Sequence, residues 1–343
     1  MNEPTADEHD DAIEIAALDL GAVEIGAEGE TIALDRLAAD AFAVTRDDRS
    51  PLDEASRERA TARALALRPR GSALGPAAPR RLADMHRQLA AETESFVAGL
   101  TASELVAVTR LGHDARTVLA HLVGQLDRLA TLLDVAVTGP TTSAAGDGSE
   151  APYDHWDVTA PHRARLAKVD APNLAEALAE ANRRIVTSLE HADGSLALGS
   201  RDDPTSLATS ALGKTFELWM HADDVRLAVG RPLSVPEAGT VLALCRLATG
   251  LLPIGMALTR GSRPGRTIRV VLVGPGGGTW LCPGAPGHAV ADEADALLVA
   301  DAATFCRLFH GQVEAGSVPV AVEGDGDLVA AALAGAQAFA ETS

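Results

Sequence analysis

From residue 80 to about residue 251 the apolar residues recur at helical spacing, and after Gly261 that period breaks. The switch confines the chain to a helical bundle followed by a smaller unit that mixes strands with helices. The clearest stripe is Ala115, Val118, Leu119, Leu122, Leu126, Leu129 and Leu133, one face of a helix over about 114–137. Leu82, Met85, Leu89, Ala90, Phe96 and Leu100 mark a helix before it, and 173–191 reads as a third. Pro204 is expected to open a fourth, which Gly230-Arg231-Pro232 stops near Val229. An apolar helix over 236–251 leads onward. Aromatic residues are only 3% of the chain, so these helices must pack through Ala, Leu and Val, which favours close approach.

Beyond Gly261 the pattern predicts a strand over 267–273, a turn at 274–278 and a partner strand at 279–282. A helix over 302–309, a strand over 318–322 and a closing helix over 327–339 complete a small α+β unit. The glycines of 274–278 belong to a hairpin and not to a phosphate loop, since no Lys-Ser/Thr follows and no helix opens there. Residues 1–75 form a separate helical extension of unknown role, joined by the Gly-, Pro- and Arg-rich stretch 68–79. The expected division is 1–75, a bundle at 76–252 and an α+β domain at 253–343, with a flexible loop over 139–152.

A formal net charge of −19 disfavours nucleic acid and anionic membrane surfaces as partners. The three cysteines are an odd number without metal spacing, and the acidic N-terminus lacks the pattern of a signal peptide, so a cytoplasmic setting is expected. The longest apolar stretch, 241–259, contains Arg246, Gly250 and Pro253, which favours a buried helix and turn over a membrane span. Small-molecule partners and a monomer or homodimer fit such a chain.

The strongest chemical signal is Glu217-Leu218-Trp219-Met220-His221 in the fourth helix. Glu and His four apart share a helix face, which also carries Ser210, Gly213, Lys214 and Asp224. Such a face can be a solvated one. It can equally meet His121, which stands at the margin of the second helix's apolar stripe, across a cavity between helices. Two imidazoles and a carboxylate would leave a divalent metal an open position; zinc is the first expectation, with nickel and iron open by ligand type.

The segment Arg116-Thr117-Val118-Leu119-Ala120-His121-Leu122 resembles the R-x-V-L-A-H-L helix of the mycothiol-dependent maleylpyruvate isomerase family, in the wider DinB-like group. Glu217-Leu218-Trp219-Met220-His221-Ala222-Asp223-Asp224-Val225-Arg226, followed by Gly230-Arg231-Pro232, is similar to that family's E-x-W-x-H-x-x-D-x-R … G-R-P helix. A late Val320-Ala321-Val322-Glu323-Gly324-Asp325 element resembles the family's C-terminal domain, so the likeness runs over roughly 80–340. It implies a DinB-like antiparallel four-helix bundle followed by a small α+β domain. It implies His121, Glu217 and His221 as ligands of the metal, with Asp224 orienting a ligand from one turn further on.

Two departures qualify the resemblance. Where the family has a C-P-G-W turn, this chain has Leu111-Gly112-His113-Asp114, which offers His113 to the cavity or to the helix start. Where the family has Gly-Arg, this chain has Gly311-Gln312, and an amide lacks the bidentate grip of a guanidinium on a dicarboxylate. Tyr153-Asp154-His155-Trp156 either lines a cleft or anchors the loop by its aromatics. The resemblance implies a metal-dependent enzyme that uses a low-molecular-weight thiol, of the mycothiol type, as cosubstrate for isomerisation or transfer on a small electrophile. The rival expectation is a non-catalytic metal-binding regulatory or ligand-binding protein on the same scaffold.

Overall fold

The computed structural model describes residues 81–138, 155–191, 197–199, 204–291 and 293–339. The expected extension 1–75 and the loop 139–152 lie outside the described residues, as do Tyr153 and Asp154. Four long helices build the first unit: α1 (Leu82–Ala98), α2 (Ala115–Thr138), α5 (Ala171–His191) and α6 (Leu207–Ala228). Both α1 and α2 pack on α5 and α6, which makes a four-helix bundle with α1 and α2 across from each other. Two short helices, α3 (His155–Val158) and α4 (Ala160–Leu166), lie between α2 and α5, and α4 packs on α2.

Asp114 starts α2 by accepting from the backbone N–H of Thr117 at 2.7 Å, as an N-terminal capping side chain does. The stripe visible in the sequence is the face that is buried: Val118, Leu119, Leu122, Leu126 and Leu133 are each 0% exposed. One boundary is corrected. Pro204 does not open α6; it lies in a short strand, β2 (Pro204–Ser206), paired antiparallel with β1 (Ala197–Gly199). Proline's fixed φ suits an extended edge as well as a first helical turn, and here the pairing partner decides between them.

The second unit begins with α7 (Ala238–Leu258), which runs unbroken past 252 and 253, where the sequence suggested a division. Pro253 sits inside this helix and cannot donate to the carbonyl of Thr249. That carbonyl accepts from the Cys282 thiol at 3.6 Å instead, and burial raises the Cys282 pKa to about 12, which keeps it a donor. By length and mean hydropathy, 1.9, α7 is apolar enough to cross a membrane. It packs instead on α9 (Gly326–Ala338), α8 (Ala302–Phe309), β4 (Gly278–Pro283) and α6, as the core helix that joins the two units.

The sheet has the order β4-β3-β5-β6, with β3 (Thr267–Val273) antiparallel to β4 and parallel to β5 (Ala296–Asp301), and β6 (Ala321–Gly324) antiparallel to β5. The hairpin expected at 274–278 is present, closed by the Gly277 N–H on the Gly274 carbonyl at 3.0 Å. β5 is an addition to the expected elements. Its Ala-Leu-Leu-Val-Ala run has no clear alternation because it is an inner strand with buried residues on both faces. The Gly324-Asp325 pair serves the fold, since Asp325 caps α9 through the Leu328 N–H at 3.0 Å and pairs with Arg266 at 2.8 Å.

Candidate metal centre

α6 is buried nearly all round, because the bundle covers one side and the second unit covers the other. Thr215, His221, Asp223 and Asp224 are therefore interior, while Lys214 and Glu217 keep partial access to solvent. Asp223 and Asp224, adjacent and both 0% exposed, have different partners. Asp223 accepts from Arg226 at 3.3 Å, from Arg307 of α8 at 3.1 Å and from the N–H and hydroxyl of Ser234 at 2.9 Å each. It joins bundle, turn and second unit. Asp224 accepts from Arg110 Nε at 2.7 Å and from Gln312 Nε2 at 2.9 Å, and its Oδ2 faces His221 Nδ1 at 3.4 Å. Burial raises the Asp224 pKa, but the His221 bond and the charges of His221, His310 and Arg110 outweigh it and hold the carboxyl below its ordinary range.

The other wall comes from the second unit. α8 ends in a left-handed glycine, Gly311 at φ 67°, with the Gln312 N–H on the Arg307 carbonyl at 3.0 Å and the Gly311 N–H on the Leu308 carbonyl at 3.0 Å. This paired closure needs a residue that tolerates positive φ, and it places His310 at the helix end with Gln312 two residues on. Both reach Asp224. Gln312 Nε2 donates to Asp224 and to the Met220 carbonyl at 2.7 Å, so its amide is spent on α6. His310 Nε2 lies 3.8 Å from Asp224 Oδ2, and the His310 and His221 rings meet edge to face at 4.8 Å between centroids. His310 Nε2 is buried without a hydrogen-bond partner, as is Gln312 Oε1. Burial, aided by His221 and Arg110 against Asp224 and Glu217, pushes the His310 pKa down to about 3, so the ring is neutral and keeps a lone pair for coordination.

His121 enters from α2. Its Nδ1 is 2.7 Å from Thr159 Oγ1, its ring stacks on Trp156 at 4.1 Å, and it stands edge-on to His221 at 5.6 Å between centroids. Gly124, one turn along, makes this possible: a Cβ there would come within 2.9 Å of Thr159 Cγ2. Trp156 also meets His113 at 4.2 Å, so His113 and His121 contact the same indole. Glu217 lies one turn before His221, with both carboxylate oxygens 2.7 Å from Lys214 Nζ. Burial opposes its ionisation, but Lys214, followed by His221 and His310, holds its pKa below the ordinary value.

The structure thus brings His121 and His221 close and keeps Glu217 within the electrostatic reach of His221. Among the described residues, the group whose ligand atoms all lie within 4.8 Å of one another is His221, Asp224 and His310, each buried. Two imidazoles and a carboxylate with an unsatisfied buried nitrogen fit a divalent transition metal. Sequence patterning singles out neither His310 nor Arg110. The one signal for His310 is its place just before the Gly311-Gln312 pair.

Residues 86–226 match the sequence model of the family described as mycothiol maleylpyruvate isomerase N-terminal domain. No curated protein sequence matches the chain. Among solved structures, the crystal structure of the mycothiol-dependent maleylpyruvate isomerase is 14% identical, with a TM-score of 0.48 over 71% of this chain and 92% of that one. A histidine-to-alanine mutant of the same isomerase gives 15% identity and a TM-score of 0.47, over 70% of this chain and 91% of that one.

Proposed function

We propose, from the match of residues 86–226 to the sequence model described as mycothiol maleylpyruvate isomerase N-terminal domain, that this chain is a metal- and thiol-dependent enzyme acting on a small electrophilic substrate. His121, Glu217 and His221 are the metal ligands of this reading, and Asp224 orients His221 through Nδ1. A divalent ion, zinc first, would supply an open coordination position that favours a low-molecular-weight thiol of the mycothiol type as thiolate near neutral pH. Addition of that thiol to an electrophilic carbon, followed by its own expulsion, gives isomerisation, whereas departure of another group from that carbon with the C–S bond kept gives transfer. A reducing cytoplasm suits such a cosubstrate.

The observation that carries the proposal is the meeting of His121 and His221, from two helices, at 5.6 Å between ring centroids, with the His121 ring held by Thr159 and Trp156. Gln312 narrows the substrate. With its amide N–H groups spent on Asp224 and the Met220 carbonyl, it offers no cationic grip, which argues against a dicarboxylate such as maleylpyruvate. The same observation favours a second reading, a non-catalytic metal-binding protein on this scaffold. One experiment separates the two: mycothiol is titrated into cobalt-loaded protein and the visible spectrum followed. A thiolate charge-transfer band supports the enzyme; an unchanged spectrum at excess thiol removes it. His121→Ala should hold at most about a tenth of the wild-type metal by elemental analysis, and full retention would contradict the ligand assignment.

A further inference from the structure

We propose that His310, supplied by the second unit, is a further ligand of the ion bound at His221, so that the metal centre spans both units of the molecule. The inference rests on the metal reading above and adds a residue to which neither the family's N-terminal domain nor the sequence motifs point. His310 lies outside the matched residues 86–226.

Three observations support it. The His310 side chain is only 6% exposed, and its Nε2 makes no hydrogen bond. A buried nitrogen left without a partner is destabilising, and an ion on its lone pair would satisfy it. Its neighbours can supply ligands: His310, His221 and Asp224 each offer one ligand atom within 4.8 Å of the others, and His310 Nε2 lies 3.8 Å from Asp224 Oδ2. Two ligand atoms on one tetrahedral zinc, with bonds of about 2.0–2.1 Å, stand roughly 3.4 Å apart, so His310 needs only a small adjustment to join an ion held at His221. The position of His310 is also fixed. The closure at Gly311 ends α8, Arg110 donates to the His310 carbonyl, and Gln312 ties the next turn to α6 at Met220. A ring held at backbone on both sides of the cluster is preorganised for coordination.

The test uses the full chain, stripped of metal and titrated with Zn2+ and Co2+ against a chromophoric chelator. Wild type is compared with His310→Ala, His310→Gln and His121→Ala, and the glutamine variant keeps hydrogen-bonding capacity where the alanine variant fails to fold. Both His310 variants are expected to bind Zn2+ about tenfold or more weakly and to shift the cobalt d–d bands, with cooperative thermal melting retained in the metal-free state. Free imidazole should restore part of the affinity of His310→Ala. Wild-type affinity and an unaltered cobalt spectrum in the His310 variants, alongside a loss in His121→Ala, would overturn the proposal and leave the metal- and thiol-dependent reading standing. Wild-type protein that binds neither ion would sink both.

Discussion

His86 and His310 are buried to nearly the same degree, 0% and 5% exposed, in two different parts of the molecule. Inside the bundle, His86 Nδ1 is 2.8 Å from Thr215 Oγ1 and its Nε2 is 3.1 Å from Asn182 Oδ1, while Asn182 in turn donates to Glu94 at 2.8 Å. Each ring nitrogen has a protein partner. Where the bundle meets the second unit, His310 Nε2 has none, and the groups around it are another imidazole and a carboxylate. Burial alone therefore does not mark a functional histidine. What distinguishes the two is whether the protein itself completes the ring's bonding, and the cluster it leaves incomplete is the one with a ligand set.

The comparison can be broken or sharpened by mutation. The largest effect on stability belongs to the pin between the regions. Asp223→Ala leaves Arg226 and Arg307, both mostly buried, without their carboxylate, and should cost about 3–5 kcal/mol in urea unfolding. A cost below about 1 kcal/mol would mean that the interface is not held there. The next effect is acid sensitivity. Burial lowers the His86 pKa from 6.5 to about 4 against the raising effect of Asn182, so the folded protein resists a proton that the unfolded chain accepts near 6.5. The stability His86 contributes is complete above pH 6.5 and is lost as the pH falls towards 4, by about 3 kcal/mol across that window. Urea unfolding of metal-free His86→Leu should show a flatter pH dependence than wild type.

At neutral pH the same His86→Leu change should cost about 1–3 kcal/mol, because Asn182 Oδ1 loses its partner, and leave zinc affinity untouched. A variant that lost zinc would erase the distinction between the clusters. The smallest effect is Gly124→Ala. The added methyl presses Thr159 away from His121, for about 1–2 kcal/mol of stability and a modest weakening of metal binding, measured by thermal melting and chelator competition.

Much of the bundle was legible because its helices are amphipathic: the stripe from Ala115 to Leu133 is the buried face of α2. β5 was not, since a run buried on both faces carries no period. Pro204 misled for a similar reason, as its fixed φ suits a strand edge and a helix start alike. In the site, the helical spacing of Glu217, His221 and Asp224 could be read directly. The fate of Glu217 could not, because Lys214 on the same face takes both its oxygens. His310 and Arg110 are remote from that helix in the chain and reach Asp224 only through tertiary packing, which no local pattern encodes.

The most direct measurement is anomalous X-ray diffraction at the zinc edge from crystals of the full chain grown with Zn2+. An ion-binding centre at the junction requires a peak within about 2.0–2.1 Å of a His221 ring nitrogen and none beside His86. Ordered density for both histidines with no peak in bonding range of His221 would contradict it.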